Sequence, residues 1–199
     1  MKFPLSIFSL LVLVAGSGCL STSRPAVCSW TIDEGDLAVE SRPRLEGAPS
    51  LFSATRLGAV TVCAPFDRTS FVVRRSDGSL PEDPLNVFAA APSSLVRAAI
   101  RSQLVADGRF GHVLPSASVV SVDASVEVLV KELSLDCREQ GRRRARVSLV
   151  VGVVKIGRTR ELVLEGEGEG LADAQDGNYS SAFTQAFNIA LREALRSLK

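Results

Sequence analysis

The residues that could do chemistry are few, and their spacing rules out most of it. The chain of 199 residues has one histidine, His112, which follows Gly111 in what reads as a loop. There is no GxSxG turn to expose a nucleophilic serine and no HExxH zinc helix. There is no phosphate-binding loop either. Gly166-Glu167-Gly168-Glu169-Gly170 alternates like a strand and opens no helix, so it gives no support for a dinucleotide site. Its glutamates lie along one solvated face without a second ligand set, which argues against an acidic metal centre. Four cysteines occur, at positions 19, 28, 63 and 137, none in a CxxC pair of the kind zinc prefers. The expectation is a protein that is not an enzyme, with no cofactor and no metal.

Cys19 is the residue with the clearest chemistry. Lys2 starts the chain, Phe3 to Val14 are almost all apolar, and Ala15-Gly16-Ser17-Gly18 are small. This is the layout of a secretory leader over residues 1–18, too short to be a comfortable membrane-spanning helix. Small residues running straight into Cys19 resemble the lipobox of bacterial lipoproteins, in which the cysteine sulfur accepts the diacylglyceryl group. The plainer alternative is ordinary secretory cleavage nearby. Leu20 follows the cysteine, and by the enterobacterial sorting rule that implies the outer membrane, facing the periplasm. Residues 19–27 are then a lipidated tether, and 28–199 the folded domain.

Composition bounds the partners. The chain is 46% apolar and 23% charged, an ordinary globular balance. Removal of residues 1–18 takes away Lys2 and lowers the formal charge from +1 to zero. A neutral chain carries no basic footprint for nucleic acid. Arg142-Arg143-Arg144 is the one strong basic run. It reads either as a solvated hairpin tip or as a contact to anionic headgroups or a partner.

The elements that must position these residues follow from periodicity. Strands are expected at Cys28 to Ile32, Leu57 to Ala64 and Ser70 to Arg74, with a proline- and glycine-containing loop over Glu40 to Ser50. Pro92-Ser93-Ser94 announces a helix capped by serine, with Leu95, Ala99 (with Ala98) and Val105 (with Leu104) on its inner face and Asp107-Gly108 as its stop. Parity changes between Ala124–Val130 and Leu133–Cys137, which implies a bulge near Lys131-Glu132. After a polar turn at Gln140 to Arg144, Arg146 to Ile156 reads as a central strand covered on both faces. Leu162 to Gly170 reads as a charged edge strand. Phe183, Ala186, Phe187, Ala190, Ala194 and Leu198 set one face of a closing helix. The predicted fold is one α+β domain, a mixed and mostly antiparallel sheet with two main helices on one face.

With the segments in this order, the chain resembles the ABC-type transport auxiliary lipoprotein family. The residues that carry the likeness are Phe71-Val72-Val73-Arg74, then Asn86-Val87-Phe88-Ala89 and Pro92. A helix follows with Leu95, Val96, Ala99, Ile100 and Leu104, then Gly108-Arg109-Phe110 and the closing helix Tyr179 to Leu198. Phe88 stands where tryptophan is common in that family. The resemblance implies a periplasmic adaptor working with an ABC transporter and mammalian-cell-entry-type proteins in lipid transport, and a possible homo-oligomer. Arg74 and Phe88 would pack the strand-to-helix loop, and with Arg142, Arg143 and Arg144 they are the candidate partner surface. An exported setting also suggests one disulfide among the three remaining cysteines. Cys63 and Cys137 each follow an apolar strand, and a helical crossover would make those strands parallel with adjacent ends. Cys28–Cys63 is the alternative if the first two strands run antiparallel.

Overall fold

A computed structural model describes residues 26–32, 50–175 and 177–199. The leader, Cys19, most of the tether and nearly all of the 40–50 loop lie outside the described residues.

Three long strands make the centre. β6 (Ala124–Asp136), β7 (Arg144–Ile156) and β8 (Arg160–Asp173) form an antiparallel meander, with β7 in the middle. β7 is rich in β-branched residues and the first half of β6 alternates valine, which suits a pleated, half-buried surface. The free side of β6 is shared by two shorter strands, both parallel to it. β2 (Ala54–Val62) takes its first half and β3 (Ser70–Arg74) its last residues. Beyond these lie β5 (His112–Leu114) on β2, β4 (Glu82–Phe88) antiparallel on β3, and β1 (Cys28–Trp30) parallel on β4. The result is one eight-stranded mixed sheet whose two longest ladders, β6–β7 and β7–β8, are antiparallel. α1 (Pro92–Asp107) and α2 (Tyr179–Ser197) cover one face and share one continuous core with it. This is the α+β domain that the sequence predicts.

The bulge falls where the parity change placed it, between Val130 and Glu132. β8 pairs only with β7, so it is an edge strand as expected. Gly108 closes α1 with φ of 73°, a conformation open to glycine without steric cost.

Several details differ. No serine side chain caps α1; Ala91 is the cap residue and Pro92 begins the helix, where its missing N–H costs nothing. Its buried stripe is Val96, Ala99, Ile100 and Leu104; Ala99 and Leu104 lie on it as expected, whereas Leu95 is only partly buried and Val105 is exposed. β7 is covered on one face only. Ala145, Val147, Leu149, Val151 and Val153 are buried, while the residues between them look outward. His112 begins a strand instead of lying in a loop.

α2 lies unusually close to β8. Gly166, Gly168 and Gly170 face the helix, and a Cβ at any of them would overlap the backbone carbonyl oxygen of Ala194, Ala190 or Ala186 respectively. Glycine on the strand and alanine on the helix remove the side chains that would hold the two backbones apart. Aromatic packing fixes the other end. Phe71 of β3 touches Phe88 of β4 at 4.6 Å between ring centroids and Phe183 of α2 at 5.0 Å, and Trp30 of β1 meets Tyr179 edge-on at 5.1 Å.

Overpacking at this contact is expected to be severe. Gly168→Val should lower stability by about 3 kcal/mol or more, above the usual range for an overpacked core because the obstacle is backbone. Urea unfolding of both proteins checks this, and a midpoint unchanged by the substitution contradicts the close approach.

Candidate functional site

The sheet face without helices carries the charge. After the bulge, Glu132, Ser134 and Asp136 point to this face, opposite Ser148, Arg146 and Arg144 of β7. Arg74 pairs with Asp136 in the register of β3 on β6. Its Nε donates to Glu132 Oε1 at 2.8 Å, and Ser134 Oγ donates to the same oxygen at 2.7 Å. Arg146 lies across the middle. It approaches Glu132 Oε2 at 3.3 Å and Asp136 Oδ2 at 3.8 Å, and it binds Glu169 Oε1 of β8 at 2.8 Å. Arg138 completes the set, donating to Asp136 Oδ2 at 2.6 Å and Oδ1 at 3.0 Å.

The carboxylates lie low and the guanidinium groups lie over them. The side chain of Asp136 is 2% exposed, whereas that of Arg138 is 46% exposed. Its hydrogen bond from Arg138 holds the Asp136 carboxyl below the usual aspartate range, against the opposing effect of burial. Such a carboxylate stays ionised at neutral pH and is poorly suited to general acid or base work. The arrangement can present fixed charge to a partner. Among the described residues no three His, Cys, Asp or Glu side chains gather as a metal site.

One end of this face runs into the turn between β6 and β7. Arg142 makes two long ion pairs, 3.4 Å to Glu139 and 3.6 Å to Asp173, and Arg144 reaches Glu139 at 3.5 Å. Arg143 turns the other way and donates to the Tyr179 hydroxyl at 2.9 Å. A polar cleft of about 480 Å³ opens here, lined by Cys137, Glu139, Gln140, Arg142, Arg143 and Gln175 among others. A second cleft of about 540 Å³, mostly apolar, lies at the opposite end between Leu51-Phe52-Ser53 and the β7–β8 hairpin.

The structure separates the residues expected to form a surface. Phe88 is 4% exposed and belongs to the aromatic cluster, so it does pack locally beside the strand-to-helix loop but offers no contact surface. Arg74 is on the outer face, tied to Glu132, and does not join Phe88. Arg142 and Arg143 sit on the turn, and Arg144 already belongs to β7.

Neither expected disulfide forms; Cys28, Cys63 and Cys137 are free thiols. β2 and β6 are parallel, as the pairing of Cys63 with Cys137 requires, but their ends are not adjacent. Val62 is level with Val130, and Cys137 follows the last residue of β6. Six further residues along the strand put the two cysteines about 20 Å apart, against the roughly 7 Å limit for bridged Cα atoms. For the alternative, β4 lies between β1 and the edge shared by β2 and β3, which sets Cys28 about 10 Å from that edge. Burial pushes the Cys137 thiol above its ordinary value, which keeps it protonated.

Glu132 and Asp136 are the site residues that sequence reasoning missed. The signal was present: a bulge followed by polar residues at alternate positions in an otherwise apolar strand.

No family profile matches the chain, and no curated protein matches it. Solved structures do. A Xanthomonas campestris protein, XCC0632, described under the family name DUF330, has a TM-score of 0.57 at 13% identity, over 83% of this chain and 81% of that one. An uncharacterised protein has a TM-score of 0.57 at 12% identity, over 86% of this chain and 97% of its own. At these identities the likeness is one of fold. No helix of the described residues is long and apolar enough to cross a membrane.

The depressed Asp136 value has a pH consequence. Near its titration the native state binds fewer protons at this site than the unfolded chain does, so the carboxylate contributes stability above the ordinary value of 3.8. That contribution is lost as pH falls through the lower native value. Asp136→Asn is expected to flatten the slope of stability against pH below about 4, as measured by urea unfolding across that range. An unchanged slope contradicts it.

Proposed function

We propose that this chain is a non-catalytic lipoprotein of the bacterial envelope, anchored through Cys19 and serving as an auxiliary component of an ABC-type, mammalian-cell-entry-type lipid transport system. The observation that carries the reading is the apolar leader running through small residues into Cys19, ahead of an α+β domain. The segments that resemble the auxiliary lipoprotein family support it, because they fall on consecutive elements. Phe71 to Arg74 is β3, Asn86 to Phe88 closes β4, and Pro92 to Leu104 lies in α1. The ion-pair network is consistent with a binding role, since its carboxylates are engaged by arginines.

Affinity purification from detergent-solubilised membranes of the native host tests this. Intact mass should show acyl groups on Cys19, and the permease, ATPase and mammalian-cell-entry protein should co-purify. Cys19→Ser should release the chain from the membrane fraction, because the anchoring energy of about 0.8 kcal/mol per buried methylene goes with the acyl chains. An unmodified Cys19 on a freely soluble chain refutes the anchor. Recovery of a cell-wall synthase without any transporter subunit favours a structural or regulatory lipoprotein instead.

A further inference from the structure

The direction of β1 determines where the N-terminal chain leaves the domain. β1 runs parallel to β4, β4 antiparallel to β3, and β3 parallel to β6. The chain ahead of Cys28 therefore heads toward the C-terminal end of β6, where the β6–β7 turn lies. Trp30 packs on Tyr179, and Tyr179 accepts a hydrogen bond from Arg143 of that turn. The described chain therefore enters β1 from the end of the sheet that carries the basic run.

The charges at this end are unevenly exposed. Among the described residues, Arg75, Arg138, Arg142 and Arg143 are exposed and Arg144 is partly so, whereas the exposed acids are Asp77, Glu139 and Asp173. Asp136 is present too, but it is buried beneath its arginine partner. Arg142 is 53% exposed, and its ion pairs at 3.4 and 3.6 Å are looser than charge-assisted hydrogen bonds of about 2.8 Å. Its guanidinium can therefore take a further anion. The polar cleft beside it is lined by Gln140, Gln175 and Arg143. α2 begins at this end with no acidic side chain in its first turn, which adds the positive end of its dipole.

We propose that this end of the domain rests on the anionic headgroups of the bilayer that carries the anchor, with Arg75, Arg138 and Arg142 as the contact. This rests on the lipoprotein reading for its biological setting. The eight residues from 20 to 27 span at most about 29 Å, so the anchor holds this end near the membrane in any case. Headgroup contact would give that attachment an end-on posture. The β6 start, the β7–β8 hairpin and the apolar cleft then face away from the lipid.

The test uses the chain from Leu20 onward, which lacks the acylated cysteine. Among the described residues every buried core side chain lies between Ile32 and Leu195, all within this chain. Sedimentation is measured with vesicles of phosphatidylglycerol and phosphatidylcholine in equal parts, and with phosphatidylcholine alone, at an ionic strength of about 50 mM. Binding is expected to the anionic vesicles only, and to be lost at about 1 M salt. Arg142→Gln should weaken it about fivefold and Arg142→Glu further, while Arg158→Glu at the opposite end leaves it unchanged. Equal partition into both vesicle types, no binding to either, or equal losses from Arg142→Glu and Arg158→Glu overturn the proposal, even where Cys19 of the full chain proves acylated. Conversely, binding to anionic vesicles with Cys19 found unmodified in cells leaves the contact standing and removes the anchor alone.

Discussion

The close contact of β8 with α2 is the constraint on which most of the fold depends. Gly166, Gly168 and Gly170 leave no room for a side chain, and Ala186, Ala190 and Ala194 answer with the smallest ones available. Once the helix is seated there, its N-terminal half delivers Tyr179 and Phe183 to the aromatic cluster that gathers β1, β3 and β4. Its C-terminal end has a second task. Glu193 accepts from the Glu169 N–H, Ser197 donates to the Glu167 carbonyl, and Lys199 exchanges backbone hydrogen bonds with Glu165. One packing decision thus positions a core at one end and seals a sheet edge at the other.

The bulge at Lys131 decides what the opposite face becomes. Before it, β6 sends Val126, Val128 and Val130 to the helix side; after it, Leu133 and Leu135 take over that side. Glu132, Ser134 and Asp136 are thereby sent together to the outer face, where Arg74, Arg138 and Arg146 meet them. Paired buried charges add little net stability over a hydrophobic alternative, yet removing one partner costs about 3–5 kcal/mol. The network is therefore better understood as a lock on register. A slip of β7 by one residue would place Arg146 in the core and leave Glu132 and Asp136 without it.

The sequence made the large elements legible because their periods are long and unambiguous. The closing helix, the edge strand with its glycine–glutamate alternation, and the bulge all emerged from side-chain parity. What escaped were features set by tertiary register. Whether Cys63 meets Cys137 depends on how far β2 slides along β6, and hydrophobic pattern does not encode that offset. The inner face of α1 is only partly legible because Leu95-Val96 and Leu104-Val105 are adjacent apolar pairs, and periodicity alone does not choose between their members. β7 looked fully buried because Val150 and Val154 are apolar although they face outward. The charged outer face was hidden for a related reason, since its partners come from β3, β6, β7 and β8, far apart in the chain.

The sealed edge also limits how copies of this chain can assemble. An exposed edge strand is a template for another chain, and β8 at fourteen residues would be the longest in the molecule. Both backbone groups of Glu165, the Glu167 carbonyl and the Glu169 N–H are already engaged by α2 and the C-terminal residue. The opposite borders, β1 and β5, are three residues each and too short for a stable strand addition. Self-association through an extended sheet would require α2 to let go of β8, and the glycine contact opposes that movement. The faces and ends of the domain instead offer arginines and scattered exposed aliphatic side chains for contact with a second copy or another protein.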